Sequence, residues 1–159
     1  DSGMMYSTVK FEINKWDTIE SIKMKDLIVT RTEVCKLIND YKNNSIKLFE
    51  QKADIEETFF PKRTPKDGKI DLNNDMIDIY NLIRGTTRPF PGSFLEYGDS
   101  NVILWDAVPF DTKLDFSSHE VGEIVDFFDG KFILKLVDGV LLVKDFKCDK
   151  RLKKGVILV

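Results

Sequence analysis

Residues 122–146 read GEIVDFFDGKFILKLVDGVLLVKDF, and this stretch decides the fold of the second half of the chain. Asp129-Gly130 and Asp138-Gly139 each separate two runs that are rich in aliphatic and aromatic residues. An Asp-Gly pair between such runs is the strongest short signal for a β-hairpin, because both turn positions need a positive φ. Together with the apolar runs around Phe94 and Trp105, the pattern predicts a meander of at least five short strands, closed as a small barrel or sandwich.

The first half of the chain shows helical periodicity. Residues 4–13, MMYSTVKFEI, alternate in part and predict a strand. Asp17-Thr18 offers an N-cap for a helix that reaches about Tyr41. Its apolar residues recur at spacings of three and four, which predicts a stripe packed in a core. The stripe consists of Met24, Leu27, Ile28, Val34, Cys35, Ile38 and Tyr41.

A second helix is predicted from Asn74 to Arg84, capped by Asn73 or Asn74. The apolar positions expected to face a core are Met76, Ile77, Ile79, Tyr80 and Ile83. The predicted fold class is therefore α/β followed by all-β. Residues 1–88 form the α/β part with a linker, and residues 89–159 form the small β domain.

The bulk composition excludes several classes of protein. A chain of 159 residues with 42% hydrophobic residues can bury a core, so global disorder is excluded. A net charge of −3 is not the basic footprint of a nucleic-acid-binding protein. Cys35 and Cys148 lie far apart without metal-ligand spacing, which predicts a reduced, cytoplasmic protein without a metal site. No apolar run approaches the roughly 18 residues of a membrane span.

The segment PKRTPKDG at residues 61–68 is stiffened on both sides. Pro61 and Pro65 each fix φ and restrict the preceding residue, and Asp67-Gly68 adds a turn signal. A rigid basic loop of this kind is either a connector between two units or a support that presents Lys62 and Arg63 to an anion. The residues themselves leave both interpretations open.

Other polar and aromatic residues give weaker signals. Trp105 lies in a predicted strand and is expected in the core, and His119 is expected to be a solvated loop residue. Asp111, Asp115 and Glu120 around that histidine are expected to be solvated too. A loose basic run, interrupted by two aspartates, is expected to be a solvated face. It consists of Lys144, Lys147, Lys150, Arg151, Lys153 and Lys154.

Five segments taken in order resemble the second half of the folate-dependent formyltransferase family. That family includes methionyl-tRNA formyltransferase and the nucleotide-sugar N-formyltransferases. The segments are DSG at 1–3, FFPKRTPKDGKIDL at 59–72, IYNLIRG at 79–85, RPFPGSF at 88–94 and VILWDAV at 102–108. The resemblance covers almost the whole chain and implies the C-terminal part of a Rossmann-like formyltransferase domain followed by a small, OB-like β-barrel.

The resemblance also implies an activity and site residues. Members of the family move a formyl group from 10-formyltetrahydrofolate to a primary amine, using an Asn, a His and an Asp. Asp1 matches that Asp, with Ser2 in place of the usual Thr and Met4 where the family often has another Asp. The resemblance implies Asp1 as catalytic residue, Asp1 and Gly3 as cofactor contacts, and four substrate contacts. These four are Lys62, Arg63, Thr64 and Phe90.

The family's Asn and His precede the matched Asp, and His119 cannot replace the His because it falls in the β domain. The chain by itself is therefore expected to be inactive, as part of a longer enzyme. The acidic β domain favours a nucleotide-linked amino sugar as acceptor over tRNA, which stays the alternative. A non-catalytic binding or assembly module of the same fold is a second alternative. A homodimer also remains open, and no membrane partner is expected.

Overall fold

The computed structural model describes residues 3–51 and 58–159, and the chain divides into two compact units, Asp1–Lys62 and Arg63–Val159. The division lies earlier than the domain boundary expected at residues 88 and 89. Its position follows from the second helix, which packs against the strands and so belongs to the same compact unit as they do. The domain boundary at residues 88 and 89 stays a prediction.

The first unit contains one long helix, α1, at Ile19–Lys42. Its N-terminus is a capping box: Thr18 Oγ1 accepts from the Ser21 N–H at 3.3 Å, and Ser21 Oγ accepts from the Thr18 N–H at 3.0 Å. The predicted start at Asp17-Thr18 and the predicted end near Tyr41 are both confirmed.

The apolar stripe of α1 does not lie in a core. No residue of α1 is buried, and all seven predicted positions are exposed: Met24, Leu27, Ile28, Val34, Cys35, Ile38 and Tyr41. The expectation of core packing is therefore wrong for the part of unit 1 that the structure describes. Spacing determines which side chains share a helix face, but it does not supply the surface that would cover them.

Residues 4–13 do not form the predicted strand. Only Met5 pairs, through an isolated antiparallel bridge to Phe49 in which both N–H···O distances are 2.9 Å. A strand needs a partner along its length to satisfy its backbone groups, and residues 3–51 provide one at this single position. The described part of unit 1 thus holds a helix and one bridge rather than an α/β layer.

The second unit is built on a sheet of five strands in the order β1-β2-β5-β4-β3, with every neighbouring pair antiparallel. The strands are β1 Ser93–Tyr97, β2 Ser100–Asp111, β3 Ile124–Phe128, β4 Lys131–Lys135 and β5 Val140–Lys147. The predicted number of strands is confirmed, but the simple meander is wrong because β2 pairs with β5 instead of β3. Hairpin signals are local, and the pairing of β2 with β5 has no local signal.

The two Asp-Gly pairs form different turns. Asp129 and Gly130 have φ values of 49° and 72° and make the predicted two-residue turn between β3 and β4. Between β4 and β5 the loop covers residues 136–139, so Asp138 and Gly139 are only its second half. The Asp138 side chain also caps a helix: its Oδ1 accepts a hydrogen bond from the Met76 N–H at 2.8 Å.

That N–H belongs to the first residue of α2, Met76–Thr86. The cap position is Asp75, not the predicted Asn73 or Asn74, and its own side chain makes no capping bond. The carboxylate of Asp138 therefore satisfies one of the helix's free N–H groups. Helix α2 buries Met76, Ile79 and Ile83 and packs on β1, β2 and β5, whereas Ile77 is half exposed, contrary to the prediction.

The C-terminal segment joins the two edges of the sheet. The Leu158 N–H donates to Gly122 O at 2.9 Å, and the Ile124 N–H, at the start of β3, donates to Val156 O at 2.8 Å. On the other side, Val159 and Glu96 of β1 exchange two backbone hydrogen bonds. Leu158 is fully buried in the core between these edges.

Two close backbone approaches hold the beginning of this unit against the sheet. A β-carbon on Gly68, in the 3₁₀ turn Pro65–Gly68, would lie 2.6 Å from Gly92 O. Gly92 has a φ of 92°, and a β-carbon there would lie 2.7 Å from Ile103 Cγ2 and 2.9 Å from Trp105 Nε1. Neither position has room for a side chain.

We expect Asp138→Ala to lower the free energy of unfolding by about 0.5–2 kcal/mol, the usual cost of losing an N-terminal helix cap. Chemical denaturation followed by circular dichroism measures the change. Asp149→Ala is the matched control, because Asp149 is exposed in the same unit and should cost less than about 0.5 kcal/mol. Equal effects of the two substitutions would contradict the capping role.

Gly92→Ala should destabilise the chain by about 2–5 kcal/mol, because a positive φ and an overpacked site each add a cost. Gly130→Ala is the control: Gly130 shares the positive φ but has nothing within 4 Å of a β-carbon, so only about 1–2 kcal/mol is expected. Thermal unfolding of both variants checks the difference, and similar costs would show that the close approach at Gly92 is unimportant.

Candidate functional site

The turn at residues 64–68 is held by one carboxylate. Asp67 accepts hydrogen bonds from the Thr64 N–H and, at 3.0 Å, from the Thr64 hydroxyl. These bonds, with a smaller contribution from the Arg63 charge, hold the pKa of Asp67 below its usual range. Lys62, Arg63 and Thr64 are all exposed. No carboxylate in the described ranges lies within ion-pair distance of Arg63, so the turn presents its guanidinium to solvent.

The segment after α2 folds back on the end of that helix. The Phe90 N–H donates to Thr87 O and the Gly92 N–H donates to Thr86 O, both at 3.0 Å. The peptide bond between Arg88 and Pro89 is cis. Phe90 is 42% exposed, and its carbonyl accepts a hydrogen bond from Trp105 Nε1 at 3.3 Å. The segment is therefore fixed to both α2 and β2.

Trp105 is the base of a stacked cluster. The Arg88 guanidinium lies over the indole, with Cζ 4.1 Å from the ring centroid, and its Nη1 donates to Asp145 Oδ2. The prediction that Trp105 belongs to the core is wrong: its ring is only partly buried, and Arg88 covers one face. Sequence reasoning missed Arg88 and Asp145 because they are 57 residues apart and no local spacing connects them.

Close approaches bring three of the sequence segments together. Gly68 lies against Gly92, and Gly92 lies against Trp105, so residues 63–68 of the first segment adjoin RPFPGSF and VILWDAV within one compact unit. Arg63, Thr64 and Phe90 belong to that unit, whereas Lys62 is the last residue of the other.

Of the two expected cofactor contacts, Asp1 and Gly3, the structure describes only Gly3. Gly3 is exposed, and its carbonyl accepts a hydrogen bond from Gln51 Nε2 at 3.0 Å. Asp1, the expected catalytic residue, lies outside the described residues.

His119 is not the freely solvated residue that was expected. Its Nδ1 lies 2.9 Å from Glu123 Oε1, and this bond holds the pKa of Glu123 below its usual range. Hydrogen bonds from the Leu114 and Lys113 N–H groups lower the pKa of Asp111, and those from the Ser117 side chain and N–H lower the pKa of Asp115. These groups stabilise the connection between β2 and β3.

Three of the six cations in the basic run near the C-terminus form ion pairs. Ion pairs join Lys144 to Asp106 at 2.8 Å, Lys150 to Asp99 at 2.9 Å and Lys154 to Asp126 at 3.0 Å. Lys150 also lies 5.9 Å from the centre of the Tyr97 ring. A face whose cations are already paired offers less to a polyanion than the sequence suggests.

Each of the two units contains a concavity. One, of about 470 Å³ in unit 1, is lined by Tyr6, Ser7, Glu33, Asp40, Ser45 and Lys47. The Tyr6 hydroxyl donates to Asp40 at 2.7 Å, which raises the pKa of Tyr6 to about 12. The other, of about 400 Å³, lies on the outer face of the sheet beside Phe110, Ile133 and Leu142. Neither contains a residue predicted from the sequence to bind a substrate.

Within residues 3–51 and 58–159, no group of three or more acidic, histidine or cysteine residues could hold a metal ion. None of the helices described there is long and apolar enough to cross a membrane. The adjoining segments offer guanidinium groups and aromatic rings, which bind anions and planar rings.

Two of the curated proteins that are similar to this chain match most of its length. The bifunctional polymyxin resistance protein ArnA of Wigglesworthia glossinidia brevipalpis is 33% identical over 128 residues, which are 80% of this chain and 19% of that protein. Methionyl-tRNA formyltransferase of Ruminiclostridium cellulolyticum is 28% identical over 155 residues, 96% of this chain and 49% of that protein. The chain thus spans half or less of the length of these relatives.

Among solved structures, HypX from Aquifex aeolicus has a similar fold. One crystal structure of a HypX variant gives a TM-score of 0.74 at 18% identity and covers 92% of this chain and 26% of HypX. HypX in complex with tetrahydrofolic acid gives a TM-score of 0.58 at 19% identity, over 74% of this chain and 20% of that one. At these identities the likeness concerns the fold alone.

The family match is the most specific finding. The family described as "Formyl transferase, C-terminal domain" matches residues 62–154, from the turn that presents Arg63 to the end of the basic run. This range contains the three adjoining segments and all five strands. It confirms the resemblance found in the sequence: the chain belongs to the formyl transferase family and carries its C-terminal domain.

Proposed function

We propose that this chain is part of an N-formyltransferase that moves a formyl group from 10-formyltetrahydrofolate to the amine of a nucleotide-linked amino sugar. The observation that carries the proposal is the family match over residues 62–154, which includes the exposed Arg63 turn beside the Arg88–Trp105 stack. Both named relatives of the chain, and the HypX structure with tetrahydrofolic acid, support a folate co-substrate.

The reaction needs a base and a group that stabilises negative charge. The acceptor nitrogen forms a bond to the formyl carbon, and the bond from that carbon to the folate nitrogen breaks. The amine loses one proton, and the folate nitrogen that leaves takes up one. The products are a formamide and tetrahydrofolate. In this proposal the Asp1 carboxylate assists the proton transfer. The rest of the family's catalytic set, an Asn and a His, would stabilise the oxyanion.

Arg63, Thr64 and Lys62 are proposed to bind the acceptor, with Phe90 beside them, and Gly3 to lie at the folate. Arg63 suits a phosphate because its planar guanidinium can donate two parallel hydrogen bonds, and because no carboxylate in the described ranges occupies it. The OB-like character of the β domain, inferred from the family, belongs to the same proposal.

The ion pairs of the basic run favour a sugar nucleotide over tRNA. Binding of a long polyanion gains its free energy from released counterions, which requires several unpaired cations on one face. Lys144, Lys150 and Lys154 are each paired with an aspartate. The name of the methionyl-tRNA formyltransferase relative points to tRNA, so the proposal of a sugar nucleotide rests on the charge pattern of this chain, in which three of the six cations of the basic run are paired.

In the full-length protein, Asp1→Asn should lower kcat by a factor of about 10²–10⁴ while the fold stays intact, because a positioned acid or base contributes about this much. Formation of the formamide product from 10-formyltetrahydrofolate and a nucleotide amino sugar is the measurement. Asp149→Asn, at an exposed aspartate of the β unit, is the control and should retain full activity. An active Asp1→Asn enzyme would remove Asp1 from the catalytic set.

In the same assay, Arg63→Ala should raise the KM for the nucleotide sugar about 10- to 100-fold with kcat largely preserved. This is the effect of losing a charge-assisted hydrogen bond of roughly 1.5–3 kcal/mol that is equally strong in ground and transition states. Arg63→Lys should recover only part of the affinity, because the ammonium lacks the planar fork.

Lys66→Ala is the matched control for Arg63, since Lys66 is an exposed cation in the same turn. It should leave the KM for the sugar and that for the folate unchanged. A lower melting temperature of Arg63→Ala with unchanged kinetics would instead identify Arg63 as part of a structural turn. If the full-length protein formylates methionyl-tRNA and no nucleotide sugar, the acceptor class proposed here is wrong.

A further inference from the structure

In the stacked cluster of Arg88, Trp105 and Asp145, the Arg88 guanidinium has further hydrogen-bond donors beyond the one that binds Asp145. Arg88 uses Nη1 for Asp145, and its side chain is 55% exposed. The remaining N–H groups on Nε and Nη2 have no hydrogen-bond partner among residues 3–51 and 58–159. A guanidinium has five N–H donors in one plane, so a single carboxylate oxygen leaves most of them available.

The cluster also holds Arg88 in a defined orientation. The indole of Trp105 lies under the guanidinium at 4.1 Å and is itself tied to the Phe90 carbonyl through Nε1. Stacking and ion pairing together restrict a side chain that would otherwise lose much conformational entropy on binding a ligand. A pre-oriented and half-exposed guanidinium is suited to a phosphate group.

We propose that Arg88 is a second guanidinium of the acceptor site, which binds a phosphate of the nucleotide-linked acceptor and is held ready by Trp105 and Asp145. This inference rests on the proposed function, because it assigns a residue to the same acceptor. The location supports it: the segment of Arg88 adjoins the Arg63 turn through the contact between Gly68 and Gly92.

Asp145 then has two opposing effects on the ligand. It positions Arg88, but its negative charge competes with an incoming phosphate and repels it. Trp105 already restrains the guanidinium, so removal of the Asp145 charge should strengthen phosphate binding. A purely structural role for the cluster predicts the reverse, or no change, because an exposed ion pair stabilises the fold only slightly.

The two tryptophans make the test direct. Trp16 is 74% exposed and lies in the first unit, so Trp16→Phe leaves Trp105 as the only indole fluorophore. In this background, inorganic pyrophosphate is titrated into the 159-residue chain while the fluorescence is recorded. We expect a saturable change, because a phosphate that engages Arg88 alters the stack on Trp105.

Arg88→Ala should raise the Kd for pyrophosphate at least about tenfold, and Arg88→Lys should raise it less. Asp145→Asn should lower the Kd about threefold or more. Arg151→Ala removes an equal charge from an exposed position of the same unit and should leave the Kd within about twofold. Circular dichroism checks that each variant is folded, and Arg88→Lys keeps the test valid if Arg88→Ala is not.

Three results would overturn the inference: no fluorescence response to pyrophosphate, equal effects of Arg88→Ala and Arg151→Ala, or unchanged or weaker binding in Asp145→Asn. Arg88-dependent binding of tRNA without binding of pyrophosphate would overturn it as well. The test is separate from that of the proposed function. Pyrophosphate binding without formyl transfer by the full-length protein would refute the activity, and formyl transfer without Arg88-dependent binding would refute only the role of Arg88.

Discussion

The backbone hydrogen bonds of residues 156–159 are the constraint on which the second unit depends. A five-stranded antiparallel sheet has two edges, and an unpaired edge exposes a row of N–H and C=O groups. Here one short segment contacts both: Val156 and Leu158 bond to residues at and before the start of β3, and Val159 bonds to Glu96 of β1. The curvature that this requires encloses a core in which Leu158, Phe132 and Leu104 are fully buried.

Helix α2 packs on β1, β2 and β5, and Gly92 lies against side chains of β2. The candidate site results from this arrangement, because Gly68 meets the backbone of Gly92, and Gly92 meets the Trp105 side chain, at positions that have no room for a β-carbon. Arg63 and Arg88 come from separate segments of the chain, yet both are presented by elements fixed to the same two strands. A rigid support of this kind suits binding groups better than a free loop does.

Local signals predicted local structure well and could not predict the rest. The capping box at Thr18 and the Asp129-Gly130 turn were recognisable because their bonds join residues close in the sequence. The pairing of β2 with β5 and the bond from Asp145 to Arg88 join residues far apart, which no periodicity reveals. The exposed stripe of α1 shows the same limit. Its spacing identified which side chains share a helix face and gave no information about which residues would bury that face. For the site, the resemblance identified the motifs, and only the structure showed that the Arg88 guanidinium stacks on the Trp105 ring.

The bond between Asp138 and the Met76 N–H has a consequence for synthesis on the ribosome. The two residues are 62 positions apart, so the first turn of α2 leaves the exit tunnel long before its cap does. An isolated helix of 11 residues is marginal in water, and its apolar face has no strands to pack on at that stage. The nascent helix therefore stays unstable until the β4–β5 hairpin has emerged, and the whole second unit is expected to fold in one late step. Until then its apolar segments are available to chaperones.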